Sequence, residues 1–349
     1  MIILKRKVEI LKKLSEAFGP PNNEIEVRNV LRNELDHYAD SVKEDNMGNV
    51  FFIKNGDQNK PTVMLAAHMD EVSFMVTYID EKGFIRFHTL GGITAHVMPG
   101  QRILLRGKKG DVPAIIGTKP PHIMTQEERN KLVLIDDLFM DVGAENEEGV
   151  KQKGIDIGTV GVFDVKFIDL GNGYFRGKSF DDRAGCAVMA NVFKGLSDTD
   201  YNVVAVGTVQ EEVGLRGARV AAWQVDPQYG LALEGTFAAD VPGSKPHQTS
   251  AKLRSGPVIT IADRTTLTHP KVLNALVKVA EKNQIPFQFK KIPRGGTDAG
   301  AIHLTKAGIP SGTVAVPCRY IHGPASVLFE EDFENAINLV KAFVAEISG

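Results

Sequence analysis

Apolar, strand-like runs in this chain lead repeatedly to a histidine or a carboxylate. His68 follows TVMLAA, Asp181 stands in GKSFDDRAG, Glu212 follows YNVVAVGTVQE, Glu234 closes YGLALE, and His322 lies in RYIHGP. In open α/β sheets, ligands bind outside the carboxyl ends of the strands. Residues placed this way meet along one sheet edge, which points to an α/β fold with its site on that edge. Two imidazoles and three carboxylates together suggest a mixed nitrogen–oxygen metal centre. Glu211, beside Glu212, is then left to do chemistry.

The order of the elements supports that architecture. Apolar positions at helical spacing mark helices over 4–17 and 23–38, and strand-like runs follow at 49–54 and 62–67. From about 74 to 164 the pattern changes to short strand-like pieces (FMVTYI, FIRFHT, RILLRG, PAIIGT, GTVGVFDV) punctuated by Gly and Pro. That is the pattern of a small all-β module. Residues 126–147 are acidic and mixed, and fit neither pattern. Beyond 165, strands at 201–209, 228–234, 257–262, 287–292 and 311–317 alternate with helices at 183–195, 216–223, 270–283, 297–306 and 329–347. Alternating βα units argue for a buried sheet with helices on both faces. The expected fold class is therefore α/β: a mixed sheet flanked by helices, with a small β-barrel inserted. The expected domains are 1–73 and 165–349 as a discontinuous catalytic domain, and 74–164 as the insert.

Composition narrows the function. The formal net charge of −2 favours neither nucleic acid nor an anionic membrane surface as partner. No run of about 18 apolar residues occurs, and MIILKRKVEI lacks the apolar core of a secretory signal, so a cytoplasmic protein is expected. Cys186 and Cys318 lie in apolar stretches and read as buried free thiols.

Each candidate is weak in isolation. His68 and Asp70 form H-x-D, in which the carboxylate suits the task of orienting a metal-bound imidazole. Asp181-Asp182 alone reads as a helix cap, or as a carboxylate bridging two ions. Glu211-Glu212 alone reads as an acidic turn. As a pair, one glutamate can ligate while its neighbour takes a proton from water. Glu234 would be costly to bury without a cation. Nitrogen and carboxylate donors suit Zn²⁺, Co²⁺ or Mn²⁺ better than Ca²⁺ or Mg²⁺. RGGTDAG (294–300) could offer backbone N–H groups to a substrate. No P-loop, dinucleotide fingerprint, G-x-S-x-G elbow or H-E-x-x-H helix is present.

Taken in order, AAHMDEV, GKSFDDRAG, QEEVGLRGA, ALEGTFAADVPG, PRGGTDAGAIH and RYIHGPASV resemble the M42 family of metallo-aminopeptidases over nearly the whole chain. The resemblance implies a di-metal catalytic domain with an inserted β-barrel dimerisation domain, and a tetrahedral twelve-subunit shell. It implies two divalent ions per subunit, with Zn or Co the leading choices. His68 and Glu234 would hold one ion, Glu212 and His322 the other, and Asp181 would bridge them. Glu211 matches the general base and Asp70 the acid that orients His68. Asp182 would follow Asp181 through a cis peptide bond. Position 234 is Asp in some members and Glu here. The expected activity is removal of the N-terminal residue from peptides. The alternative is an endoglucanase-like glycoside hydrolase using paired carboxylates, against which the single Trp and 7% aromatic content count.

Overall fold

The computed structural model describes residues 2–57, 59–196 and 202–348. The chain divides into two units, one of residues 1–70, 166–321 and 325–349, the other of 71–165 with 322–324.

The first unit is built on a long mixed sheet. Four parallel strands form its centre, in the order Asn202–Thr208, Thr62–His68, Tyr229–Phe237 and Ser311–Arg319. Antiparallel strands extend it: Val50–Lys54 and Ser41–Glu44 at one side, Ser326–Phe329, Tyr174–Gly177 and Ile168–Gly171 at the other. Val258–Thr260 pairs with Ser311–Arg319 and carries the two-residue strand Gln288–Phe289. The central strands are continuous apolar runs because both their faces are covered. Val63, Met64, Leu65, Ala66 and Ala67 are all fully buried.

Helices supply that cover according to their apolar faces. On one face Leu11, Leu31, Phe193, Leu276 and Phe343 join one core cluster. They come from helices Ile2–Glu16, Ile25–Leu35, Phe180–Lys194, Pro270–Lys282 and Glu330–Ser348. On the other face Phe51, Met64 and Val206 pack with Ala218 and Ala222 of helix Arg216–Val225 and Ile302 of Ala299–Ile302. Among the described residues no helix is long and apolar enough to cross a membrane.

The second unit is a closed barrel. Strands Ser73–Ile79, Ile85–Leu90, Phe139–Asp141, Gly110–Gly117, Arg102–Gly107 and Val160–Phe163 follow one another around it. Phe74 fills its centre, edge-on to Phe87 at 5.3 Å and to Phe163 at 5.0 Å. The acidic stretch that fitted neither sequence pattern contributes Phe139–Asp141 to the barrel and forms the short helix Gln126–Asn130. That helix opens on a Thr125–Glu128 capping box.

Several expectations shift. The strand expected to stop at Glu234 continues to Phe237, so Glu234 lies within it. The helix expected over 297–306 shrinks to Ala299–Ile302, because Thr297 and Asp298 are drawn into side-chain bonds. Ser41–Glu44 and Ile168–Gly171 carried no sequence signal, since an exposed edge strand needs no apolar alternation. Tyr201, expected to open a central strand, lies outside the described residues.

Candidate active site

His68 is the last residue of its strand and is buried. Its Nδ1 lies 3.1 Å from the main-chain oxygen of Asp70. A carbonyl only accepts, so Nδ1 carries the proton and donates. Nε2 then faces three carboxylate oxygens: Asp181 Oδ1 at 3.3 Å, Glu234 Oε2 at 3.5 Å and Glu211 Oε2 at 3.8 Å. Burial pulls the proton affinity of His68 down, but Glu211, Asp181, Asp70 and Glu234 outweigh it and push it well above the usual histidine range. The same crowding raises the carboxyls. Burial pushes Glu211 up, with Glu212, Asp298 and Asp70 adding to it against His68. Burial and Asp182 do the same to Glu234.

Asp181 and Asp182 have separate tasks. They are joined by a cis peptide bond and have non-helical backbone angles, so the regular helix begins after them. Asp181 reaches the imidazole. Asp182 Oδ2 accepts the main-chain N–H of His68 at 3.1 Å, and its Oδ1 accepts that of Gly185 at 2.9 Å. It therefore ties the end of one strand to the first turn of the helix. Arg183, fully buried, donates to the main-chain oxygens of Leu14, Ala17 and Gly19, satisfying carbonyls at the end of helix Ile2–Glu16.

The glutamate pair sits on a gripped loop. Four consecutive main-chain N–H groups are taken by three side chains. Asn49 Oδ1 accepts from Val209 at 3.0 Å, and Glu24 Oε1 from Gln210 at 3.2 Å. Asp70 accepts from Glu211 at 2.9 Å and from Glu212 at 3.0 Å, one with each oxygen. Asp70 Oδ1 is also 3.6 Å from His68 Nδ1. Asn49 and Glu24 were missed in the sequence because each stands more than 150 residues before the loop it holds.

Glu234 is held from its other side. The main-chain N–H of Asp298 donates to Glu234 Oε1 at 3.1 Å. Asp298 Oδ2 accepts from Thr208 Oγ1 at 2.5 Å, and Thr208 pairs with His68 across the sheet. RGGTDAG, read as a donor to substrate, thus has one of its N–H groups turned onto Glu234.

Donor atoms of His68, Asp181 and Glu234 all lie within 4.8 Å of one another, as do those of His68, Glu211 and Glu212. His322 falls in the second unit, in the turn before Ser326–Phe329, at φ 58°. Its Nδ1 donates to the main-chain oxygen of Gly92 at 2.9 Å. In the neutral ring that bond places the lone pair on Nε2, one of the two tautomers able to ligate a metal. The ring of Asp181, Glu234 and Glu211 around His68 Nε2 also fits a cation on physical grounds. Three carboxylates around one imidazole nitrogen, all largely buried, carry a charge excess that only a proton or a metal ion offsets.

A family model described as M42 glutamyl aminopeptidase matches residues 48–339. The chain belongs to the M42 peptidase family. A lysyl aminopeptidase of Pyrococcus furiosus is 33% identical over 342 residues, covering 97% of each chain. A glutamyl aminopeptidase of Lactococcus lactis is 31% identical, covering 97% of this chain and 96% of its own. Among solved structures, a TET aminopeptidase from the marine sediment archaeon Thaumarchaeota archaeon SCGC AB-539-E09 is 40% identical with a TM-score of 0.94, covering 97% of this chain and 96% of that one. The Pyrococcus horikoshii TET1 peptidase, which can assemble into a tetrahedron or a large octahedral shell, is 30% identical with a TM-score of 0.86, covering 96% and 98%. A Thermotoga maritima protein named endoglucanase is 30% identical with a TM-score of 0.80, covering 97% and 98%. As an M42 member the chain is a peptidase of a metal-dependent family.

Proposed function

We propose that this chain removes the N-terminal residue from peptides at a centre of two divalent ions, Zn²⁺ or Co²⁺, with Glu211 as general base. The observation that carries the reading is the ring of Asp181, Glu234 and Glu211 around Nε2 of buried His68. His68 and Glu234 would hold one ion, and Asp181 would be shared. Glu212 would serve the second ion, joined by His322 on its sequence context and its tautomer. Bound ions supply Lewis acidity, acidifying a water and polarising the scissile carbonyl.

The chain's own groups do the rest. Glu211, its backbone fixed by Asp70, takes a proton from the attacking water and passes it to the leaving amine. Asp70 donates no proton. It fixes the loop and supplies the oxygen that sets the His68 tautomer. The inserted barrel is proposed to pair subunits, and a tetrahedral dodecamer is supported by the shells of the TET1 relative.

A carbohydrate-cleaving alternative has the endoglucanase-named structure in its favour. A paired-carboxylate glycosidase needs no imidazole hub, and here the carboxylates converge on His68. One experiment separates the readings. The protein is stripped with a chelator, reloaded with Zn²⁺, Co²⁺ or Mn²⁺, and assayed on aminoacyl-anilides, on their N-acetylated forms and on a soluble glucan. Metal-restored cleavage of the unblocked anilides alone is expected. Chelator-resistant glucan hydrolysis, or equal cleavage of N-acetylated substrates, would overturn it.

A further inference from the structure

Main-chain pairing does not fix Glu234 against His68. Strand Tyr229–Phe237 pairs with Thr62–His68 as far as Ala232 and Ala66, and the register ends there, two residues short of Glu234 and of His68. On the other side of Thr62–His68 the register runs to the end, where Thr208 pairs with His68. Asp298 bridges the open side. Its Oδ2 accepts from Thr208 Oγ1 at 2.5 Å, and its main-chain N–H donates to Glu234 Oε1 at 3.1 Å. The other oxygen of Glu234, Oε2, lies 3.5 Å from His68 Nε2. Thr208 and Asp298 are both fully buried. Asp298 Oδ1 has no hydrogen-bond partner among the described residues. A buried carboxylate with an orphaned oxygen costs stability, and such costs gather at functional sites.

We propose that Asp298 is a positioning residue for the metal centre: anchored to Thr208, it holds Glu234 Oε1 so that Oε2 faces the ion shared with His68. A hydrogen-bond partner on the far side of a ligating carboxylate fixes its direction before the ion arrives. With Oε1 engaged, Glu234 offers the ion one oxygen and not two. The Thr208 hydroxyl matters because a main-chain N–H is only as well placed as the residue that carries it. Asp298 stands between a Gly-rich loop and a helix of four residues, which fix its backbone weakly. Thr208, locked in register beside His68, supplies the anchor. The inference rests on the reading of His68 and Glu234 as metal ligands.

The test titrates the metal-stripped full chain with Zn²⁺ and Co²⁺ by calorimetry and records the visible absorption of bound Co²⁺. Thr208→Val removes the hydroxyl at nearly constant volume. It should weaken metal binding by about tenfold and change the Co²⁺ spectrum. Thr208→Ser keeps the hydroxyl and should bind and absorb as the wild type does. Asp298→Ala breaks the same bond from its other end, and keeps the test informative if Thr208→Val folds poorly. The double variant should lose no more affinity than Asp298→Ala alone, since both substitutions break one tether. A tether that served the fold alone would lower Tm and leave the Co²⁺ affinity and spectrum unchanged. That result, a loss shared by Thr208→Ser, or additive losses in the double variant overturns this inference alone. A wild type that binds neither Zn²⁺ nor Co²⁺ overturns the metal reading and this one with it.

Discussion

The carboxylate of Asp70 accepts the main-chain N–H of Glu211 at 2.9 Å, so the residue two beyond His68 fixes the backbone of the candidate base. Replacing Asp70 by Ala leaves two N–H groups of the glutamate loop without their acceptor. The expected cost is about 2 kcal/mol in stability, with a 10- to 100-fold loss of metal affinity. Thermal unfolding and metal titration of the variant check both figures. Undiminished metal affinity would remove Asp70 from the positioning role.

Glu211→Gln keeps the shape of the side chain and removes its capacity to take a proton. Turnover should fall by about 10²- to 10⁴-fold. Metal content per subunit should stay at the wild-type level, because Glu212 and not Glu211 is the proposed ligand. Near-normal kcat with full metal content would exclude Glu211 as the base.

Metal ions should stabilise the fold as well as activate it. The buried carboxyls around His68 repel one another without a cation. A ligand that binds only the folded state stabilises it by about 2.7 kcal/mol at a hundred times its dissociation constant. Scanning calorimetry with and without Zn²⁺ or Co²⁺ should show a rise in Tm that His68→Ala abolishes. An unchanged Tm in the wild type would count against the site.

Glu24 gives a pH signature. Burial, with Asp70 adding to it, pushes its carboxyl up to about 7. The folded state thus favours the neutral form. Its contribution to stability is complete below the unfolded value near 4.5 and is lost as pH rises through 7. Glu24→Gln escapes that loss while keeping an acceptor for Gln210. Relative to the wild type it should gain stability progressively between pH 4.5 and 8, by about 3 kcal/mol in all. Paired unfolding measurements at pH 4 and pH 8.5 decide it, and a pH-independent difference would show that Glu24 is not buried with a raised pKa.

Gly185→Ala should destabilise the protein by about 3 kcal/mol. A Cβ there would meet the main-chain oxygen of Leu233 at 2.2 Å and Asp182 Oδ1 at 2.3 Å. The intruding methyl would displace the carboxylate that ties His68 to the helix. A Tm within a degree of the wild type would show that the packing there yields.

Much of the architecture was legible in the sequence because its signals are local. Fully buried parallel strands must be apolar throughout, so TVMLAAH and YNVVAVGT could be read without a partner in view. The barrel announced itself through short strands and frequent turns. What escaped were features with no local imprint: the exposed edge strand Ser41–Glu44, the true end of the strand carrying Glu234, and the short helix around Ala299.

The sequence by itself determined the fold class, the family, and the residue types able to hold a metal and move a proton. These follow from hydrophobic periodicity and from motifs, both of which survive as short strings. Only the tertiary structure decided how those residues are held. The grip of Glu24, Asn49 and Asp70 on the loop of Glu211 and the hold of Asp298 on Glu234 join residues far apart in the chain. Such pairings are set by sheet order and by the cost of burying unpaired polar groups. Neither is written in any one segment.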